Sequence, residues 1–405
     1  MNILPRFLNY VSYWTTSDES TGKTPSTDRQ FELAKVLEKE LTTLGVKDVF
    51  LDEHCYVYGY LPATNGYPSE KSIGFIAHMD TAPDMSGKNV KPNIIENYDG
   101  KDILLPNGEV FILVSDFPHL SSLRGKTLIT TDGNTLLGAD DKAGIAEIMT
   151  AIEEIINRNL PHPNIYIAFT PDEEIGKGSD HFDLSRFQAD FAYTVDGDYE
   201  EEISYENFNA SSATFTIKGK NVHPGEAKNI MINAASIACE IQSLLPPEQT
   251  PAHTEGREGF YHLENITGDI GSAKLSYIVR DHDAVLFQKK IDYLEKVKEL
   301  MQQKYGENTV SLEIKESYRN MMEVIEKHME IIHLAEEAIS SLGFTPVSTP
   351  VRGGTDGARL SFMGLPCPNL GTGGHGFHGP MEHIALESME KVVEIICYIA
   401  SHVSK

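Results

Sequence analysis

The sequence predicts an α/β fold whose body is a mostly parallel central sheet, interrupted by an inserted ferredoxin-like α+β domain. Three observations predict it. Short apolar runs at 73–77 and 165–169, and a run of the same style at 191–195, alternate with helical stretches, the pattern of parallel strands covered on both faces. Each run ends in polar residues of one kind: His78-Met79-Asp80, Asp172-Glu173-Glu174 and Asp196. After about Asn209 the elements read strand, helix, strand, strand, helix, strand, which is the ferredoxin-like order.

Near the start, Thr24-Pro25 offers an N-cap and first-turn pair for a helix. Phe31, Ala34, Leu37, Leu41 and Leu44 then recur at helical spacing, up to a stop at Gly45. A short strand at Leu128 and Ile129 leads into Thr131-Asp132-Gly133-Asn134-Thr135-Leu136-Leu137-Gly138-Ala139-Asp140-Asp141-Lys142-Ala143-Gly144. This glycine-punctuated loop opens a helix, so Asp140 and Asp141 sit where the macrodipole and free N–H groups favour negative charge. As an isolated pair they also read as an ordinary acidic cap. In the insertion, a strand at 213–217 precedes an amphipathic helix at 230–245 ended by Pro246-Pro247. Strands at 259–265 and 273–279, a helix at 284–305 and a strand at 310–314 complete the set. Beyond Tyr318 the α/β pattern resumes, with a helix at 322–342, a glycine-rich region and a last helix at 386–401. The expected division is therefore a catalytic domain of residues 1–208 and 319–405, and an inserted domain of residues 209–318.

At 405 residues the chain is long enough for two or three domains with their own cores. A net charge of −26 argues against nucleic acid and against an anionic membrane surface as partners. It suits a cytoplasmic protein, part of whose acid neutralises bound divalent metal. No apolar run approaches the roughly 20 residues of a transmembrane helix, and residues 1–14 lack the character of a secretory signal. Cys55, Cys239, Cys367 and Cys397 lie far apart without a C-x-x-C pair, which fits reduced thiols better than a disulfide framework or a cysteine zinc site.

Open α/β sheets place ligands beyond the carboxyl ends of their strands, so this chain delivers acids and a histidine to one sheet edge. Two-metal hydrolases need a carboxylate that bridges two cations and about two further N or O ligands on each. They also need an unligated acid to take a proton from water. His78 has Asp80 two residues on, able to orient its ring. In Glu173-Glu174 adjacent side chains diverge, so one can bind metal while the other faces substrate. Asp196 lies just past a strand, and Gly371-Thr372-Gly373-Gly374-His375-Gly376-Phe377-His378-Gly379 is a glycine-rich loop with two histidines. Singly, these also read as strand-end polar residues, a solvated acidic loop and turns. A phosphate-cradling reading of the last loop lacks both the G-K-[ST] and the dinucleotide fingerprint.

Together the motifs resemble the peptidase T family, tripeptide aminopeptidases among the co-catalytic zinc exopeptidases and deacylases. The resemblance covers essentially the full chain. It rests on Ala77-His78-Met79-Asp80-Thr81-Ala82-Pro83, Leu137-Gly138-Ala139-Asp140-Asp141-Lys142-Ala143-Gly144 and Pro171-Asp172-Glu173-Glu174-Ile175-Gly176. Val195-Asp196-Gly197, His223-Pro224-Gly225 and Gly353-Gly354-Thr355-Asp356-Gly357 extend it. It implies a zinc-exopeptidase-like catalytic domain, with the insertion as a lid or dimerisation domain. It implies two zinc ions per subunit, cobalt or manganese being substitutes. Asp140 is implied to bridge them, His78 and Asp196 to complete one, Glu174 and His378 the other. Glu173 is implied as general base, with Asp80 behind His78. Of His375, His378 and His383, His378 fits the family's aromatic-His-Gly, with the acid Glu382 following. The resemblance further implies a cis Asp140–Asp141 peptide, and Arg280 and Arg352 as partners of the substrate carboxylate. His223 is implied as oxyanion donor, acting across a homodimer. Short peptides are the expected substrates, and only the whole-chain resemblance favours tripeptides. A related dipeptidase or N-acyl amino acid deacylase would use the same metals, and a metal-free scaffold protein would keep only the fold.

Overall fold

The computed structural model describes residues 1–67 and 71–403. The chain forms two compact units: Met1–Tyr205, Glu323–Thr349 and Thr355–Lys405 make the first, Glu206–Met322 and Pro350–Gly354 the second. The insertion is thus slightly wider than 209–318. It also recruits a short returning segment, because Val351 N–H donates to Glu206 O at 2.9 Å and Asn207 bridges Val351.

The first unit is built on a seven-stranded sheet. Its order is Lys47–Leu51, Val57–Leu61, Ile165–Thr170, Ile73–His78, Phe191–Gly197, Asn369–Gly371, Ile203–Ser204. The middle four strands run parallel and the outer ones antiparallel. All six positions of Ile73–His78 are buried, which explains its unbroken apolar character. His78 pairs with Thr170, and Ile76 with Thr194. The polar residues that follow the three runs therefore leave the sheet side by side at one edge.

Helix Ala139–Asn157 packs on strands Ile73–His78 and Phe191–Gly197 and against helices Ile3–Val11 and Leu386–Ser401. A smaller antiparallel sheet orders Gly374–His375, His383–Ala385, Leu128–Thr130 and Asn93–Ile95. Through the pairing of His383 with Thr130 it ties the last glycine-rich loop to the strand that leads towards Asp140.

Three helices differ from their sequence reading. The first long helix is Gln30–Leu44, ending as expected at Gly45 with φ 87° but starting five residues after Pro25. The Thr24–Pro25 peptide is cis, and the Ser26 N–H and hydroxyl both donate to the buried Asp172 carboxylate at 2.6 and 2.5 Å. That long-range contact outcompetes a local N-cap. The helix expected at 230–245 begins only at Ala234, where the Asn233 side chain accepts the Ser236 N–H. The stretch 322–342 is two helices, Met322–Ile325 and Met329–Ser341.

The second unit has a four-stranded antiparallel sheet ordered Phe260–Gly268, Ser272–Asp281, Asn209–Lys218, Val310–Tyr318. Helices Ala234–Leu244 and Ala284–Tyr305 pack against it over a core that includes Phe215, Ile237, Leu275, Tyr277 and Leu294. Asp283 starts the longer helix by accepting the N–H groups of Val285 and Leu286, both at 2.8 Å.

Gly144 sets how closely the Ala139–Asn157 helix meets the sheet. A Cβ there would lie 2.0 Å from Val195 O and 2.5 Å from Asp141 Oδ1. Gly144→Ala is expected to destabilise the fold by about 3 kcal/mol, the upper end for overpacking against backbone. Chemical denaturation checks it, and a loss below about 1 kcal/mol, the size of an ordinary substitution, would contradict this packing.

Candidate metal centre

The centre is assembled around Asp140. Gly138, at φ 80°, turns the chain, and Asp140 and Asp141 depart from helical geometry before the regular helix begins. The peptide between them is cis. The Asp140 carboxylate faces two ways. Its Oδ1 lies 2.9 Å from His78 Nε2, and that nitrogen is 3.4 Å from Asp196 Oδ1. Its Oδ2 lies 3.3 Å from His378 Nε2, which is 3.0 Å from Glu174 Oε2. Two ligand atoms each 2.0–2.1 Å from a tetrahedral metal stand about 3.3 Å apart, so both groups have ligand spacing. Glu174 Oε1 is buried without a hydrogen-bond partner, an atom that a cation would satisfy. Two imidazoles with three carboxylates suit a pair of divalent metals of the zinc, cobalt or manganese kind. The residues present fit such a pair.

Charge at the site is strongly opposed. Against the effect of burial, hydrogen bonds to His378 and His78 hold the Asp140 carboxyl well below the usual range. Hydrogen bonds to Asp140 and Glu174 lift His378 to about 11. Burial, then the neighbouring Asp140, pushes Glu174 up to about 8, and burial raises Asp196 to about 6. Burial and then the Asp196 charge push Glu173 up as well. Metal binding here displaces protons from imidazole and carboxyl groups.

Around the ligands, other acids hold backbone. Asp80 is fully buried, with Oδ1 3.3 Å from His78 Nδ1. The same carboxylate accepts the N–H groups of Glu173 at 3.0 Å and Glu174 at 3.3 Å. It therefore orients a ligand histidine and the turn that carries Glu173 and Glu174 together. Asp172, at φ 58°, anchors that turn from behind through Ser26 and through Gln30 Nε2 at 2.6 Å. Asp141 lies within ligand distance of His78 and Asp196. Its oxygens accept the N–H groups of His78 at 3.1 Å and Gly144 at 3.2 Å, a holding role. Asp196 is set by Asn369, whose Oδ1 accepts both its N–H and the Thr194 hydroxyl.

The three histidines of the last loop separate by position. His378 alone meets Asp140 and Glu174. His375 and His383 join His119 in a ring cluster, with His119 Nε2 and His383 Nε2 3.0 Å apart. Burial lowers His375 to about 2 and His383 to about 4, so both stay neutral at ordinary pH. In the second unit, Arg280 Nη1 donates to Arg352 O at 2.9 Å, while its Nε is buried without a partner. Arg352 is held within the same unit. Its guanidinium donates to Thr254, Gly256 and Glu258 carbonyls and to the Thr254 hydroxyl. It also lies over the Phe208 and Phe260 rings, so its donors are taken up inside the unit. His223 is exposed, with Nδ1 accepting the Gly225 N–H at 3.1 Å. The anchoring roles of Asp172 and Asp141 are absent from any local sequence signal. Both read simply as neighbours of better candidates.

Comparison with known proteins finds relatives along the whole chain. Residues 130–402 match the family model "Peptidase family M20/M25/M40". The chain is 56% identical over 399 residues to peptidase T of Caldanaerobacter subterraneus subsp. tengcongensis, covering 98% of this chain and 97% of that one. It is 52% identical over 408 residues to peptidase T of Alkaliphilus oremlandii, covering 100% of both. Among solved structures, aminopeptidase PepT from Bacillus cereus superposes with a TM-score of 0.79 at 24% identity, over 100% of this chain and 98% of that one. A dinuclear metal-binding M20 peptidase from Bacillus subtilis superposes at 0.68 and 14% identity, over 99% and 97%. At those identities the two structures speak for the fold alone.

Proposed function

The chain belongs to peptidase family M20/M25/M40, and from that membership we propose that it is a tripeptide aminopeptidase working through a pair of zinc ions. One observation carries the reading: the two oxygens of Asp140 face two separate ligand pairs, His78 with Asp196 and Glu174 with His378. Asp140 would hold one metal with His78 and Asp196 and the other with Glu174 and His378. The tripeptide preference is supported by the peptidase T relatives, and zinc by the mixed imidazole–carboxylate donors.

Bound divalent metal supplies the Lewis acidity that polarises the scissile carbonyl and acidifies the attacking water. The rest belongs to the chain's own groups. Glu173, half-buried and making no ligand-spaced contact with the histidines, takes one proton from water as its oxygen attacks the carbonyl carbon. When the C–N bond breaks, Glu173 returns that proton to the leaving amine. The products are the free N-terminal amino acid and a dipeptide. Asp80 holds the Glu173 backbone and the His78 ring in register during both transfers. Arg280, with its unpartnered Nε, is the proposed partner of the substrate's terminal carboxylate. Arg352 is proposed beside it, its Nη groups exchanging the carbonyls they now bind for the substrate. The four free thiols support a cytoplasmic setting.

A cleavage panel of di-, tri- and tetrapeptides, each with and without an N-acetyl group, tests the substrate reading. Tripeptides with a free amine are expected to be cut fastest, between the first and second residues. Faster dipeptide cleavage would make the chain a dipeptidase, and cleavage of only the acylated compounds a deacylase. Glu173→Ala is expected to keep two metals per subunit by elemental analysis while kcat falls roughly 10²–10⁴-fold. Loss of a metal with a mild rate change would instead give Glu173 the role assigned to Glu174.

His223 is proposed as the donor that stabilises the tetrahedral oxyanion, acting on the partner's site within a homodimer. Mixing His223→Ala with Glu173→Ala under subunit exchange creates, in the heterodimer, one site with both residues and one with neither. Activity is expected to rise towards half that of the wild type per heterodimer. No recovery, or a fully active monomer, would overturn the arrangement.

A further inference from the structure

Glu382 ends the loop that carries His378, and its side chain is only 1% exposed. Its carboxylate reaches back across the site to the turn that carries Asp140. Oε2 accepts the N–H groups of Leu137 at 2.6 Å and Gly138 at 2.8 Å, and Oε1 accepts the N–H of Asp140 itself at 3.0 Å. Three successive-turn donors converging on one carboxylate form an anion nest, with Glu382 as its built-in anion. Charge-assisted bonds of this kind are the stronger hydrogen bonds of a protein.

At its other end the same loop is closed on itself. Glu382 N–H donates to Gly379 O at 3.3 Å. Gly376, at φ 69°, sits where a Cβ would lie 2.6 Å from Met381 O, and His378 is itself held at φ 61°. The backbone that presents His378 is therefore fixed relative to the Glu382 side chain. That side chain in turn grips the backbone of Asp140.

We propose that Glu382 is the positioning residue of the metal centre, locking bridging Asp140 and His378 at the spacing of one shared metal. The inference rests on the metal-centre reading above. Glu382 touches neither substrate nor metal; it acts through the Asp140 N–H and through the His378 loop. Without it, Asp140 Oδ2 and His378 Nε2, now 3.3 Å apart, are carried by two segments far apart in sequence, joined nearby by the pairing of His383 with Thr130 and by the Thr131 hydroxyl on Pro380 O, neither of which grips the Asp140 turn itself.

Glu382→Gln keeps the side-chain volume and one oxygen. With that oxygen on Leu137 and Gly138, the amide NH₂ meets the Asp140 N–H, donor against donor, so the defect falls on the bridging residue. The test uses full-length apo protein titrated with Zn²⁺ or Co²⁺ against a chromophoric chelator, with the visible Co²⁺ spectrum recording ligand geometry. Glu382→Gln is expected to bind metal about 10–100-fold more weakly, with an altered Co²⁺ spectrum. At saturating metal, kcat is expected to fall while KM stays near the wild-type value. Glu382→Asp, which keeps the charge but shortens the reach, is expected to fall between the two. Wild-type metal affinity and Co²⁺ spectrum in Glu382→Gln overturn the proposal, whatever the activity. Failure of both variants to fold as apo protein also overturns it, since Glu382 would then be a folding residue. If the wild type takes up no metal, or Asp140→Asn takes it up unchanged, the metal-centre reading fails instead of this one.

Discussion

Everything at this centre depends on one carboxylate, Asp140, being held so that its two oxygens face different ligand pairs. Left to electrostatics the arrangement would not persist. Asp140, Glu173, Glu174 and Asp196 crowd one sheet edge, with the imidazoles of His78 and His378 set among them. Like charges this close repel unless a cation or protons intervene. The scaffold answers with backbone. Asp80 grips the Glu173–Glu174 turn, Asp172 grips the segment behind it, and Glu382 grips the Asp140 turn. Each is a buried acid whose partners are N–H or hydroxyl groups. None of the three stands at ligand spacing in a described cluster.

The parts of the fold that were legible in the sequence are those governed by local periodicity. The three apolar runs are strands because a strand covered on both faces has no polar side to show. All of 73–78 and most of 165–170 are buried accordingly. Helices at 284–305 and 386–401 begin and end where their patterns do. In the inserted unit the order of elements alone carried the topology. The three strand ends lie at one edge, so His78, Glu173, Glu174 and Asp196 stood out as acids and a histidine placed beyond strands.

What stayed hidden depends on contacts between distant segments. Thr24-Pro25 resembles a helix start in every local respect, yet Ser26 is bound by Asp172, 146 residues away. Glu382 meets Leu137 across 245 residues, a distance over which no spacing rule operates. Residue type alone does not separate the three histidines of the last loop, although the family's aromatic-His-Gly favours His378. Only the pairing of His383 with Thr130 turns that residue towards His119 and leaves His378 for the acids. The setting of Arg352 is hidden for the same kind of reason. A lone arginine shows its charge in the sequence, but not the carbonyls that already occupy its donors.

The holding network also decides what metal does to this protein. In small zinc domains the metal supplies the folding energy, because no other core exists and the ligands are free without it. Here the ligands sit on strands and turns whose hydrogen bonds run to backbone and to Asp80, Asp172 and Glu382, inside a unit with its own buried sheet and helices. Folding therefore builds the spacing of the candidate ligands, and a bound pair of cations would relieve the repulsion that this spacing creates. The division explains why this edge carries the buried acids Asp80, Asp172 and Glu382 besides the candidate ligands. Some acids carry the charge that attracts cations, and the others keep that charge where the chemistry needs it.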